Sequence, residues 1–193
     1  MRLFIGIELP DTLKKSAAAA ATRVRERIVR AAPKARVRWV EPAHLHITIW
    51  FLGEVPEPRV EPLVAALKKP LDTRPFTMRV AGAGAFPPSG PPRAIWLGLP
   101  TGREGLLAVH DQLRPRLSPL GFEPEKRQFS PHLTIARVKE VRPPDAAAMR
   151  RALQGIDDDV GECEVLSATL FVSRPTPTGS QYEVLLPIHL QTG

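Results

Sequence analysis

The sequence predicts an α+β protein with largely antiparallel sheets, arranged as two related lobes. Three observations carry this. Strand-like and helix-like segments are mixed, but without the strict one-to-one order of a parallel βαβ sheet. The run "LHITI" (45–49) recurs as "PHLTI" (131–135), and His132 follows His46 by 86 positions in a chain of 193 residues. An apolar fraction of 43% is enough for one substantial core, or for two small lobes sharing one.

The elements follow in order. "RLFIGIEL" alternates as a first strand. Pro10 and Asp11 then open a long helix that runs to about Ala31 and is stopped by Pro33. "ARVRWV" is a short strand and "HLHITIWFL" a longer one. Val60, Leu63, Val64 and Leu67 have helical spacing within 58–69. "FTMRVAGAGAF" and "RAIWLGL" are strands joined by the stiff "PPSGPP". A second amphipathic helix spans 103–118, with Leu106, Leu107, His110, Leu113 and Leu117 along one side. "FSPHLTIARV" is a strand, "PPDAAAMRRALQG" a proline-led helix ended by Gly155, and "CEVLSATLFVSR" and "YEVLLPIHL" are the last two strands. The chain is expected to form a single bilobal domain over 1–193, each lobe giving one strand to a shared centre.

Composition excludes several classes. The single cysteine, Cys163, rules out an internal disulfide and a cysteine-based zinc cluster. No run approaches the roughly 20 apolar residues of a membrane span, and "MRLFIGIELPD" reads as a first strand rather than a secretory signal. A cytoplasmic protein without membrane contact is expected. The net charge of +7 and pI of about 10.2 suit an anionic partner such as RNA or a nucleotide phosphate, or merely a basic surface that keeps the protein in solution.

The repeat selects the chemistry. On a strand, His44, His46 and Thr48 would share one face, which raises a three-histidine zinc site with His132 as an alternative. The repeat places His132 at the position of His46 but Ser130 at that of His44, so His46 belongs to the repeated feature and His44 need not. A His-x-Thr on each of two facing strands sets two imidazoles beside two hydroxyls. One ring can act as base and the other as acid near neutral pH, while the threonines donate to anionic oxygens. In-line displacement at phosphorus needs that arrangement, and no metal or other cofactor. Either ring could take either role. Trp50 falls on the face of His46, whereas strict alternation sets Arg137 and Phe51 on the face opposite their histidines, unless a bulge or strand end intervenes. His110 and His189 are read as structural, Cys163 as a half-buried strand residue, and Trp39 and Trp96 as packing residues.

"HLHITIWFLGEV" and "FSPHLTIARV" resemble the paired His-x-Thr-x motifs of the 2H phosphoesterase family. Within it the chain is most similar to the RNA 2′,3′-cyclic phosphodiesterases, the LigT-type or 2′-5′ RNA ligase-like proteins. "MRLFIGIELP", "GAFPPSGPPRAIWLGL", "GFEPEKRQFSPHLTIARVK" and "LFVSRPTPTGSQYEVL" resemble that family's segments in the same order. The resemblance implies a bilobal fold with antiparallel sheets flanking a central cleft, and opening of a ribose 2′,3′-cyclic phosphate to a 2′-phosphomonoester. It implies His46 as proton donor, His132 as the base that activates water, and Thr48 and Thr134 as phosphate ligands. Arg137 matches a basic residue directed into the cleft, Phe51 sits where a base would stack, and Trp50 and His44 are further candidate substrate contacts. RNA with cyclic phosphate ends, or cyclic nucleotides, are the implied substrates, with no obligate protein partner and a monomer expected. A non-catalytic nucleotide-binding module and reversible 2′-5′ end joining remain the alternatives.

Overall fold

The computed structural model describes residues 1–125, 127–176 and 179–191. Lys126, Pro177 and Thr178, which fall within two of the segments quoted above, lie outside the described residues.

The apolar run of β1 (Arg2–Glu8) is buried from Leu3 to Ile7, as befits a central strand covered on both faces. Helix α1 (Asp11–Ala31) buries Leu13, Ala17, Ala20, Val24 and Ile28, a stripe of helical period along one side. Each fully buried Leu, Val or Ile contributes roughly 1.5–3 kcal/mol. The chain continues through β2 (Arg36–Trp39), a short 3₁₀ turn (Pro42–His44), β3 (His46–Glu54), α2 (Val60–Leu67), β4 (Phe76–Phe86) and β5 (Ala94–Thr101). After α3 (Arg103–Leu117) come β6 (Leu133–Glu140), α4 (Pro143–Leu153), β7 (Asp159–Val165), β8 (Ser167–Thr176) and β9 (Gly179–His189). No helix of the described residues is long and apolar enough to cross a membrane.

All strands pair antiparallel in two sheets, ordered β3-β1-β8-β9 and β2-β6-β5-β4-β7. The α+β class with two antiparallel sheets is therefore as expected, but the lobes are not the two halves of the sequence. The pair β1–β3 corresponds to β5–β6, each with a His-x-Thr. The third strand of each repeat is exchanged: β4 pairs with β5, and β8 with β1. Each sheet thus draws strands from both halves of the chain.

Three boundaries differ from expectation. The strand over 44–52 starts only at His46, because Pro42 initiates a 3₁₀ turn that takes in His44. Likewise β6 begins at Leu133, so Phe129 to His132 lead into the strand as irregular backbone. "CEVLSATLFVSR" is two strands: β7 ends at Val165 in one sheet and β8 starts at Ser167 in the other. No Gly or Pro marks the crossing at exposed Leu166.

Candidate active site

Strands β3 and β6 face each other across the cleft. Each leaves a His-x-Thr half-exposed on the cleft side, with Ile47 and Leu133 buried behind. Each is then interrupted in the same way. Against β1, Thr48 pairs with Gly6 and Trp50 with Ile5, so Ile49 is an extra residue. Against β5, Thr134 pairs with Trp96 and Ala136 with Ile95, so Ile135 is extra. A β-bulge therefore follows both threonines. Successive residues Ile49 and Trp50 are both buried, as are Ile135 and Ala136, and the next residue in each strand, Phe51 or Arg137, returns to the exposed cleft side. The bulge removes the parity objection to Phe51 and Arg137. It also corrects the placing of Trp50, which does not share the face of His46: it is 3% exposed and its ring stacks on that of His110, 4.8 Å between centroids.

Two hollows make up the cleft, of about 620 and 560 Å³. They share Thr48, Phe51, Glu125, Thr134 and Arg137, which form the divide between them. His46 and His44 line the first hollow, His132 and Trp50 the second. The structure thus brings all eight candidate residues to one cleft, with the threonines and Arg137 between the two motif histidines.

Both rings are oriented alike. Nδ1 of His46 donates to the carbonyl of His44 at 2.8 Å, and Nδ1 of His132 donates to the carbonyl of Ser130 at 2.7 Å. The carbonyl two residues before each histidine fixes the proton on Nδ1 and leaves Nε2 for the cleft. The repeat at this position is thus in the backbone, which is why His44 and Ser130 can differ in side chain. The His44 ring stands edge-on to Tyr182, 5.3 Å away, at the wall of the first hollow. Among the described residues no group of three or more His, Cys, Asp or Glu is disposed to hold a metal ion.

The rings differ in their other partner. Nε2 of His46 lies 3.1 Å from the Thr48 hydroxyl, while Nε2 of His132 has no hydrogen-bond partner among the described residues. Burial pushes the pKa of His46 down to about 4, with the Arg137 and His44 charges acting in the same direction against the His44 carbonyl bond. Burial also lowers His132, helped by Arg137 and opposed by the Ser130 carbonyl and Glu125. Both imidazoles are therefore neutral in the empty cleft near pH 7. An anion bound between them favours their protonated forms.

Two aromatic residues that the sequence did not single out complete the site. The Tyr182 ring stands edge-on to His46 at 4.9 Å and 81°, and the Phe86 ring edge-on to His132 at 4.9 Å and 75°. They come from β9 and the end of β4, so neither lies near a motif in the chain. Arg150 of α4 holds the loop after Phe86 through the carbonyls of Pro87 (2.7 Å) and Gly90 (2.8 Å). Glycine provides the close approaches. A Cβ on Gly6 would meet the Ile47 carbonyl at 2.9 Å and His46 Cδ2 at 3.4 Å, and one on Gly84 would overlap the Trp96 indole.

The residues read as structural sit as follows. His110 is buried and stacked between Trp50 and Phe129, while His189 is exposed at the end of β9. Cys163 is half-buried on β7, its thiol pKa raised by burial. Trp39 is half-buried against the core and also lines the first hollow, and Trp96 lies under Phe86, 5.2 Å between rings.

Comparison with known proteins bears on the repeat and on the fold. The profile of the LigT-like phosphoesterase family matches the chain twice, over residues 12–96 and 97–182. The RNA 2′,3′-cyclic phosphodiesterase of Archaeoglobus fulgidus is 33% identical over 185 residues, covering 96% of this chain and 98% of that protein. The crystal structure of TT0787 of Thermus thermophilus superposes with a TM-score of 0.76 at 30% identity, covering 98% of both chains. That of E. coli LigT complexed with phosphate superposes at 0.67 and 25%, covering 99% of this chain and 98% of LigT. Two family matches in tandem, each holding one His-x-Thr on a bulged strand, establish that the chain belongs to the LigT-like phosphoesterase family.

Proposed function

We propose that the protein is an RNA 2′,3′-cyclic phosphodiesterase, which opens a terminal 2′,3′-cyclic phosphate of RNA or of a nucleotide to the 2′-phosphomonoester without a metal ion. The observation that carries this reading is the pair of Nδ1-anchored histidines whose Nε2 atoms face one cleft from opposite lobes, with two threonines and Arg137 between. The curated relatives of near-full coverage that carry the same activity in their names support the substrate class.

The phosphate sits on the divide, where the Thr48 and Thr134 hydroxyls donate to its non-bridging oxygens and Arg137 balances the charge. His132, whose Nε2 lone pair is unoccupied, takes a proton from water as the water attacks phosphorus. His46, protonated once the anion is bound, gives its Nε2 proton to the departing 3′ oxygen. The Thr48 hydroxyl, which donates to the neutral ring, accepts from the charged one or turns to the phosphate. Phe51 offers a ring, 45% exposed, against a base. One chain supplies both histidines, so a monomer suffices, and a cytoplasmic location fits RNA ends as substrate.

The test is turnover of a 2′,3′-cyclic nucleotide in the presence of a chelator, followed across pH. The rate should be unaffected by the chelator. The alkaline limb of kcat should lie above that of kcat/KM, because kcat/KM reports the free enzyme, in which burial holds both imidazoles below the usual histidine range, and kcat the complex, in which the bound anion raises them. Coincident alkaline limbs, or a rate abolished by chelation, would overturn the mechanism.

A further inference from the structure

The first hollow carries positive charge that the motifs do not account for. Arg38 of β2 and Arg137 of β6 are directly opposite each other in register, both exposed. Opposite residues of an antiparallel pair point to one face, so the two guanidinium groups stand on the same side of the sheet. Lys139, two residues on from Arg137, is exposed on the same wall, and Arg2 of β1 reaches the hollow from the other sheet. Neither Arg2 nor Lys139 forms an ion pair with a described residue, whereas Arg36, just outside, pairs with Glu140 at 3.5 Å. Arg2, Arg38, Arg137 and Tyr182 line this one hollow, and the three charges oppose the rise that burial gives the Tyr182 phenol. Among the described residues, only Glu41 and Glu125 set carboxylates in this hollow. The second hollow contains none of Arg2, Arg38 and Lys139.

The in-line reaction decides what reaches that wall. If His46 protonates the departing 3′ oxygen, the ribose bearing it lies in the His46 hollow, and so does the phosphate on the 5′ side of that ribose. We propose that Arg38, Lys139 and Arg2 form a second anion subsite, which binds this next backbone phosphate and makes the enzyme selective for polynucleotide over mononucleotide ends. The proposal rests on the cyclic phosphodiesterase reading. Phe51 and Tyr182 line the same hollow and offer the intervening nucleoside an aromatic surface, the combination that single-stranded RNA grooves use.

The experiment compares a trinucleotide and a mononucleotide, each with a 2′,3′-cyclic phosphate, in wild type, Lys139→Gln and Arg38→Gln/Lys139→Gln. Lys139→Gln changes one exposed side chain and should leave the fold intact. The wild type should favour the trinucleotide in kcat/KM by about tenfold at low salt, and the double variant should lose most of that ratio. The log–log salt slope should be steeper for the trinucleotide by about 0.7 per added phosphate contact. In parallel, calorimetry compares binding of a trinucleotide ending in a 2′-phosphate with that of the 2′-mononucleotide. If no cyclic end is opened but the binding difference exists and is lost in the variants, the hydrolytic reading fails and the subsite stands. A ratio near one in wild type, a ratio indifferent to both variants, or one lost instead on replacing Arg93 and Arg127 of the second hollow, would overturn the subsite.

Discussion

Alanine in place of His132 or His46 should lower turnover of a cyclic phosphate by about 10² to 10⁴, the usual contribution of a positioned acid or base. The double variant should be hardly worse than the poorer single one, because proton removal and proton delivery serve one displacement and do not add. Both rings are half-buried at the cleft, hydrogen-bonded only to near neighbours and packed edgewise or tilted against aromatic rings that remain in the variants. Melting curves of the variants should therefore stay close to wild type while rates collapse. His44→Ala should behave differently, since the backbone carbonyl of residue 44 orients His46 and alanine keeps it. A loss of under about tenfold is expected there. Full activity in both single histidine variants would remove acid/base catalysis from the account.

Thr134→Val should cost about 10² to 10³ in kcat, the range for deleting one preorganised donor to a developing anion. Thr48→Val should cost at least as much, because the same hydroxyl bonds Nε2 of His46 at 3.1 Å. Serine at either position keeps the donor and should recover most of the loss. Inhibition by inorganic phosphate gives the complementary reading: it should weaken in both valine variants and be retained in the serine ones. Valine variants with wild-type kcat and unchanged phosphate inhibition would show that the threonines are present for the strand alone.

These residues were legible in the sequence because a strand of period two ties histidine to threonine, and the repeat isolates one histidine from its neighbour. The bulges were not legible. Ile49 and Ile135 are good strand residues, and nothing in "HITIWF" or "HLTIAR" marks an extra residue; only the registers against β1 and β5 reveal it. One hidden residue in each strand decides that Phe51 and Arg137 return to the exposed side of their histidines and that Trp50 is instead buried against His110 at the wall of the second hollow. The anchoring carbonyls of His44 and Ser130 were equally hidden, since a backbone group leaves no mark on residue type. Tyr182 and Phe86 escape because each meets its histidine across a long stretch of chain, through a hairpin partner, β8 or β5, that pairs in turn with β1 or β6. The strand exchange escapes because the chain through Val165, Leu166 and Ser167 passes between the sheets without a Gly or Pro turn signal.

If the histidines flank a phosphate with His46 on the side of the departing oxygen, the reaction has one regiochemical outcome. A trinucleotide with a 2′,3′-cyclic end, opened to completion by the wild-type protein with a chelator present, should carry its phosphate on the 2′ oxygen alone. Phosphorus NMR against authentic 2′- and 3′-phosphate standards distinguishes the isomers. A 2′-phosphate formed at a rate lost in His46→Ala and His132→Ala is the outcome that the cleft geometry requires. A 3′-phosphate, a mixture of isomers, or an intact cyclic end after prolonged incubation would contradict it.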